Sequence, residues 1–254
     1  MTFWKNNTRF KVVAITNIGK HREKNQDNYC INGKMLPLKH INGYYKTTIK
    51  KHSGFVALFD GMGGESAGEL ASYVSANSFN QLYDSKIIVQ DSYDDFINHI
   101  NRKVVLSAKA NKYRSIGSTV SFVCWNKDEI VIGNVGDSPI FRLYNGSLYE
   151  ISKSHTDVEW LTKMNLKRKP ALTQYLGFEE EDILLKPHIV KEKVVCNTTY
   201  LLCSDGLTDM VEENVLRQVL LSDDTLKEKG DRLMKLALDN GGVDNITIIL
   251  LQTV

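Results

Sequence analysis

The feature that most constrains this chain is a pattern at the ends of its apolar runs. Phe55–Phe59 stops at Asp60, and Ile130–Val135 reaches Asp137 directly after Gly136. Tyr200–Ser204 stops at Asp205, and Asp244 stands just ahead of Ile246–Leu251. Short, largely apolar runs bounded by Gly, Asn or Asp read as buried strands. If those strands neighbour one another, their aspartates share one space. Like charges at close range raise one another's pKa, so such a group needs cations to stay ionised. A donor set of hard oxygens without Cys or His suits Mg2+ or Mn2+ better than zinc. A single Asp-Gly is ordinary turn punctuation. The recurrence, with every one of these aspartates beside Gly or Asn, is what argues for a metal site.

The stretch Asp60-Gly61-Met62-Gly63-Gly64-Glu65 invites a second reading, a phosphate-cradling loop. It lacks the spacing and the lysine of a nucleotide-binding P-loop, and no dinucleotide fingerprint occurs either. Its glycines fit better as a place where backbone approaches a metal, with a main-chain carbonyl as ligand.

Periodicity predicts strands over 9–18, 27–31, 54–59, 118–125, 128–135, 139–144, 147–151, 200–204 and 246–251. Leu70, Ala71, Val74, Ser78 and Leu82 recur near helical spacing, which predicts a helix over about 65–83. Phe96 to Ala108, Val215 to Leu220 and Leu226 to Ala237 mark further helices. Residues 155–180, with Lys167-Arg168-Lys169-Pro170 at their centre, read as loop plus a short helix. Residues 33–52 read as a solvated hairpin turning at Asn42-Gly43, carrying Lys34, Lys39, Lys46, Lys50 and Lys51. Asn145-Gly146 marks another turn. Strands, a helix pair, strands, a helix pair and a last strand describe an α+β chain with antiparallel sheets, not alternating βαβ units.

Composition narrows the classes of partner. Hydrophobic residues at 42% and charged residues at 24% exclude a disordered or collagen-like chain. A length of 254 residues admits one core, and a single domain over 1–254 is expected. A net charge of +2 gives no global attraction for nucleic acid. No apolar run is long enough for a membrane helix, and the N-terminus shows no signal-peptide pattern. Cys30, Cys124, Cys196 and Cys203 have no metal-ligand spacing. Cys124 and Cys203 lie in apolar runs as small hydrophobes. A cytoplasmic location is expected.

The ordered motifs resemble those of the protein phosphatase 2C family of metal-dependent serine/threonine phosphatases, particularly its compact bacterial branch. They are Arg22-Glu23-Lys24-Asn25-Gln26-Asp27; Phe59-Asp60-Gly61-Met62-Gly63-Gly64 with Gly68-Glu69; Gly117-Ser118-Thr119; and Asn134-Val135-Gly136-Asp137-Ser138. Leu176-Gly177, Cys203-Ser204-Asp205-Gly206-Leu207-Thr208-Asp209 and Asp244-Asn245-Ile246-Thr247 complete the set, which spans nearly the whole chain. The resemblance implies a four-layer αββα sandwich of two antiparallel sheets flanked by helix pairs, with metals in a cleft between sheet ends. It implies that Asp60 bridges two Mn2+ or Mg2+ ions and that the Gly61 carbonyl binds the second. Asp205 and Asp244 would complete the first ion's shell, Asp137 with Asp205 would offer a third position, and Arg22 would grip the substrate phosphate. The implied reaction is hydrolysis of phosphoserine and phosphothreonine in proteins by a metal-activated water, with no Ser or Cys nucleophile. A serine/threonine kinase would oppose it, and a monomer is expected. No nucleic-acid or membrane partner is implied.

The sequence departs from the family pattern at several positions. Gln26 stands where many members carry a glutamate near the second metal, which predicts weaker binding of that ion. Met62 replaces the histidine of eukaryotic relatives, Pro139 follows Gly-Asp-Ser where arginine is frequent, and Ser154 precedes His155 where aspartate is common. The segment ahead of Leu176-Gly177, the family's mobile flap, is short. His155 reads as a structural hydrogen-bonder. The basic excursion at 33–52 reads as solvated, with contact to acidic phosphoproteins as its alternative. A catalytically weak regulatory relative is the rival function, disfavoured because Asp60, Asp137, Asp205 and Asp244 are all present. A hydrolase of small phosphoesters or nucleotides lacks any base-binding signature.

Overall fold

Apolar runs become strands because the fold gives both faces of each sheet something to bury against. The computed structural model describes residues 9–50, 53–62, 67–84, 93–126, 129–179 and 184–254. Its first half contains β1 (Phe10–Asn17), β2 (Asp27–Ile31), β3 (Lys34–Met35), β4 (Gly43–Ile49), β5 (Ser53–Met62), α1 (Gly68–Asp84) and α2 (Tyr93–Ala110). Then come β6 (Gly117–Ser118), β7 (Val120–Asn126), β8 (Glu129–Val135), β9 (Ile140–Tyr144), β10 (Ser147–Glu150) and α3 (Val158–Lys163). The chain closes with β11 (His188–Lys193), β12 (Thr199–Cys203), α4 (Asp205–Thr208), α5 (Glu213–Leu221), α6 (Leu226–Asp239) and β13 (Ile246–Thr253).

One sheet has the strand order β10-β9-β12-β13-β1-β4 and the other β11-β8-β7-β5-β2-β3, with β6 attached to β5. All of these pairings are antiparallel. Alternate residues of each strand enter different cores. Val12 and Ala14 join Val56, Leu58, Val123, Trp125, Ile249 and Leu251 between the sheets. Val13 and Ile15, one residue out of phase, pack outward with Leu201, Ile248 and Leu250 against Leu216, Val219 and Leu233 of α5 and α6. On the other side Phe55, Ala57 and Phe59 of β5 meet Phe79 of α1 and Phe96, Ile97 and Ile100 of α2. Three apolar layers between four structural layers explain why these strands read as continuous hydrophobic runs and not as alternating ones. The αββα sandwich matches the expected fold.

Two local readings change. The Asn42-Gly43 hairpin does not form. β3 pairs with β2 in one sheet, while β4 pairs with β1 in the other, so residues 36–42 cross between sheets. Gly43 is needed for space instead of for a turn: a Cβ there would lie 2.8 Å from Leu36 Cδ2. Asn32-Gly33, at φ of 45° and 85°, makes the real β2–β3 turn, and Asn145-Gly146, at 48° and 77°, turns β9 into β10 as expected. The second change is β11, an edge strand on β8 that the periodicity reading leaves out. Its Lys191-Glu192-Lys193 end interrupts the apolar signal, as suits an exposed sheet edge. Of the predicted elements, the start of the first helix, Gly63-Gly64-Glu65, Lys51 and His52, Asp128 and Glu180 lie outside the described residues.

Candidate active site

The antiparallel pairing brings strand ends from both sheets to one rim. Asp60 sits near the end of β5, Asp137 just beyond β8, Asp205 at the start of α4 two residues past the end of β12, and Asp244 just before β13. All of them line one cleft of about 780 Å³, together with Arg22, Gln26, Gly61 and Thr119. Every site residue expected from the sequence is therefore in the same cavity.

Local sequence chemistry fixes each position. The loop between β1 and β2 carries Arg22 and is clamped by Asn245. The Asn245 amide donates to the Ile18 and Lys24 carbonyls at 2.9 Å, and its oxygen accepts from the Gln26 amide at 2.8 Å. Gly19, at φ +80°, passes so close to Asp244 that a Cβ would lie 2.2 Å from its carbonyl oxygen. Arg22 Nη2 then donates to Asp244 Oδ2 at 2.6 Å. Gly61 approaches the helix start as closely: a Cβ there would stand 2.1 Å from the Gly68 carbonyl. Thr119 couples two of the aspartates, accepting from the Asp60 amide at 3.1 Å and bonding Ser138 Oγ at 2.7 Å, beside Asp137. His155 Nδ1 accepts from the Gly136 amide at 3.1 Å, which bears out its structural reading.

Sequence reasoning assigned no role to Asp27, although it obeys the same rule as the others: it opens an apolar strand and stands opposite Asp60 in register. Its Oδ2 accepts from Ser204 Oγ at 2.8 Å and Thr247 Oγ1 at 2.7 Å. Its Oδ1 is buried without a hydrogen-bond partner. Burial first, then repulsion from Asp205 and Asp244, pushes its pKa up to about 7 against the two hydroxyl donors. Asp60 is raised well above the usual carboxylate range by burial and by Asp27, Asp205 and Asp137. Asp137 rises to about 6, again chiefly through burial, and burial raises Asp205 as well. Lys169, from the basic run in the 155–180 segment, was also unassigned. Its Nζ lies 3.0 Å from Asp205 Oδ2 and 3.1 Å from Asp209 Oδ2.

These features fit divalent cations. The donors are carboxylate oxygens and a backbone carbonyl, one buried oxygen has an unfilled bond, and burial with mutual repulsion makes the clustered carboxylates costly to ionise without cations. Among the described residues no three such side chains yet close around one point. Arg22 and Lys169 stand on the outer carboxylates instead.

Comparison with known proteins decides the family. The family model described as Protein phosphatase 2C matches residues 44–240. The chain belongs to the protein phosphatase 2C family. The serine/threonine phosphatase stp of Listeria monocytogenes serovar 1/2a is 30% identical, over 93% of this chain and 93% of that protein. Protein phosphatase PhpP of Streptococcus pneumoniae is 25% identical over 95% and 97%. Among solved structures, the catalytic domain of serine/threonine phosphatase PstP in complex with two manganese ions superposes with a TM-score of 0.77, at 25% identity, covering 97% and 99% of the two chains. Stp1 from Staphylococcus aureus gives 0.77 at 27% identity, covering 95% and 94%. In this protein phosphatase 2C, Gln26 lies on the cleft wall beside Asp60 and Gly61. The Gln26 side chain hydrogen-bonds Glu69, which also holds Lys24 at 3.0 Å.

Proposed function

We propose that this chain hydrolyses phosphoserine and phosphothreonine monoesters in proteins with two Mn2+ or Mg2+ ions, and a third at the Asp137–Asp205 corner. The observation that carries this reading is the convergence of Asp60, Asp137, Asp205, Asp244 and Arg22 on one cleft. Asp60, the Gly61 carbonyl, Asp205 and Asp244 would hold the pair, whose chemistry when bound is to acidify water and neutralise phosphate charge.

Arg22 contributes the anion grip. Its guanidinium is half exposed and meets one oxygen of Asp244, so its planar fork is free to turn to two phosphate oxygens. Asp27 offers a place for a proton. Ser204 and Thr247 hold Oδ2, so a proton taken near neutral pH rides on Oδ1. Cys203 is no nucleophile: burial holds its thiol far above the range where thiolate forms.

The fuller reading is one catalytic domain over 1–254, acting as a monomer in the cytoplasm on phosphoproteins made by a serine/threonine kinase. The near-neutral charge speaks against a nucleic-acid partner. No helix among the described residues is long and apolar enough to cross a membrane. Phosphate release from a phosphothreonine peptide tests the core of it. Turnover should appear with Mn2+, vanish in EDTA and vanish in Asp205→Asn. Folded protein that turns over nothing with any divalent ion would instead point to a regulatory binding role.

A further inference from the structure

Among the described residues of the segment over the cleft, Lys169 is the side chain that lies on a carboxylate expected to hold metal. It bridges Asp205 and Asp209, and its charge is also felt by Asp137. The loop that presents it is buckled at its base. Asp157 Oδ1 accepts from the Ala171 amide at 2.8 Å, its other oxygen takes the Arg168 guanidinium, and its own amide donates to the Ala171 carbonyl at 3.0 Å. A bridge between Thr156 and Leu172 and a bond from the Thr173 amide to the His155 carbonyl continue the closure. Pro170 stiffens the backbone next to Lys169. The ammonium is thus aimed by structure and does not merely drift onto the acidic corner, yet its side chain remains 64% exposed, so an arriving ion can displace it.

We propose that Lys169 is a built-in counter-cation and latch: it holds the 164–172 loop across the Asp137–Asp205–Asp209 corner, and a divalent ion entering that corner must displace it. The proposal rests on the metal-site reading of Asp205. Two cations cannot share the same carboxylate oxygens without repulsion, so ion binding and latch closure oppose one another, and by linkage each weakens the other equally.

The test is direct ion binding, without substrate. Free Mn2+ is followed by electron paramagnetic resonance during titration of wild type, Lys169→Gln and Lys169→Arg. Losing two partly exposed ion pairs should tighten the weakest-bound ion about three- to tenfold in Lys169→Gln. Lys169→Arg, which keeps the charge, should behave as wild type. Hydrogen exchange of amides 165–172 reads the latch itself. Saturating Mg2+ should speed exchange in wild type, whereas Lys169→Gln should exchange fast with or without the ion. Identical titrations for wild type and Lys169→Gln, or loop exchange slowed by Mg2+, would overturn the latch and leave the metal site standing. Wild type that binds no Mn2+ at all would overturn both.

Discussion

On one side of the cleft Asp27, Asp60, Asp205 and Asp244 stand at the ends of strands buried on both faces, each backed by hydroxyls, amides or a glycine that nothing larger can replace. On the other side residues 157–172 cross the rim as loop and one short helix. There Leu161 is the buried residue of α3, while Val158, Trp160, Met164 and Leu166 are exposed. The strand-end wall opens only with the sandwich core, whereas the loop wall rests on surface ion pairs and a few backbone bonds and can open alone. Chemistry that tolerates little displacement belongs on the first wall, and adaptable contacts with ions or substrate belong on the second.

The largest break in that comparison should come from the rigid wall. Asp60→Asn should lower phosphatase turnover by roughly a thousandfold or more, because it removes a carboxylate proposed to hold both ions. In EDTA the same variant should melt higher than wild type, since one like charge leaves a buried cluster. A lower melting temperature in EDTA would contradict the crowding of charge described above. Arg22→Ala should lower kcat/KM by roughly ten- to a hundredfold, the worth of a charge-assisted contact to phosphate, with Arg22→Lys between.

Thr247→Val probes the support behind the site. It strips Asp27 of a donor and Thr16 of its buried partner, and should cost about 1–3 kcal/mol in urea unfolding. The pH dependence follows from the raised carboxylates. Asp137 near 6 and Asp27 near 7 keep protons that the unfolded chain releases near its ordinary value of 3.8. Stability from that proton uptake is complete below the unfolded pKa and is lost as pH rises through 6 and 7. The metal-free protein should therefore melt lower at pH 8 than at pH 5, by roughly 2 °C or more, and saturating Mg2+ should abolish the difference. Trp160→Ala, on the loop wall, should leave stability within about 0.5 kcal/mol.

The cleft was largely legible because its carboxylates sit where local signals are strongest. An aspartate closing an apolar run is visible in a short window, and Asp60, Asp137, Asp205 and Asp244 all announced themselves in that way. Asp27 carried the same mark, but Asn25, Gln26 and Asn28 around it look like loop. Only its register opposite Asp60 reveals that it lies under the cleft. Gln26 was visible in the sequence as part of the motif around Asp27, while its bond to Glu69 was not. That bond also gives the substitution a physical test: Gln26→Glu would set two carboxylates together in the metal-free protein.

Sequence by itself determined the strand ends, the helix faces and the hard-oxygen character of the site, since each depends on residues a few positions apart. Tertiary structure decided what depends on distant partners. It sent β4 to β1 and not back onto β3, because an Asn-Gly pair permits a tight turn without compelling one when a strand edge in the other sheet is open to it. It also brought Lys169 onto Asp205, 36 residues away in the chain, through a loop closed on Asp157. Neither pairing leaves a local trace, because its free energy comes from groups that only the folded chain brings into contact.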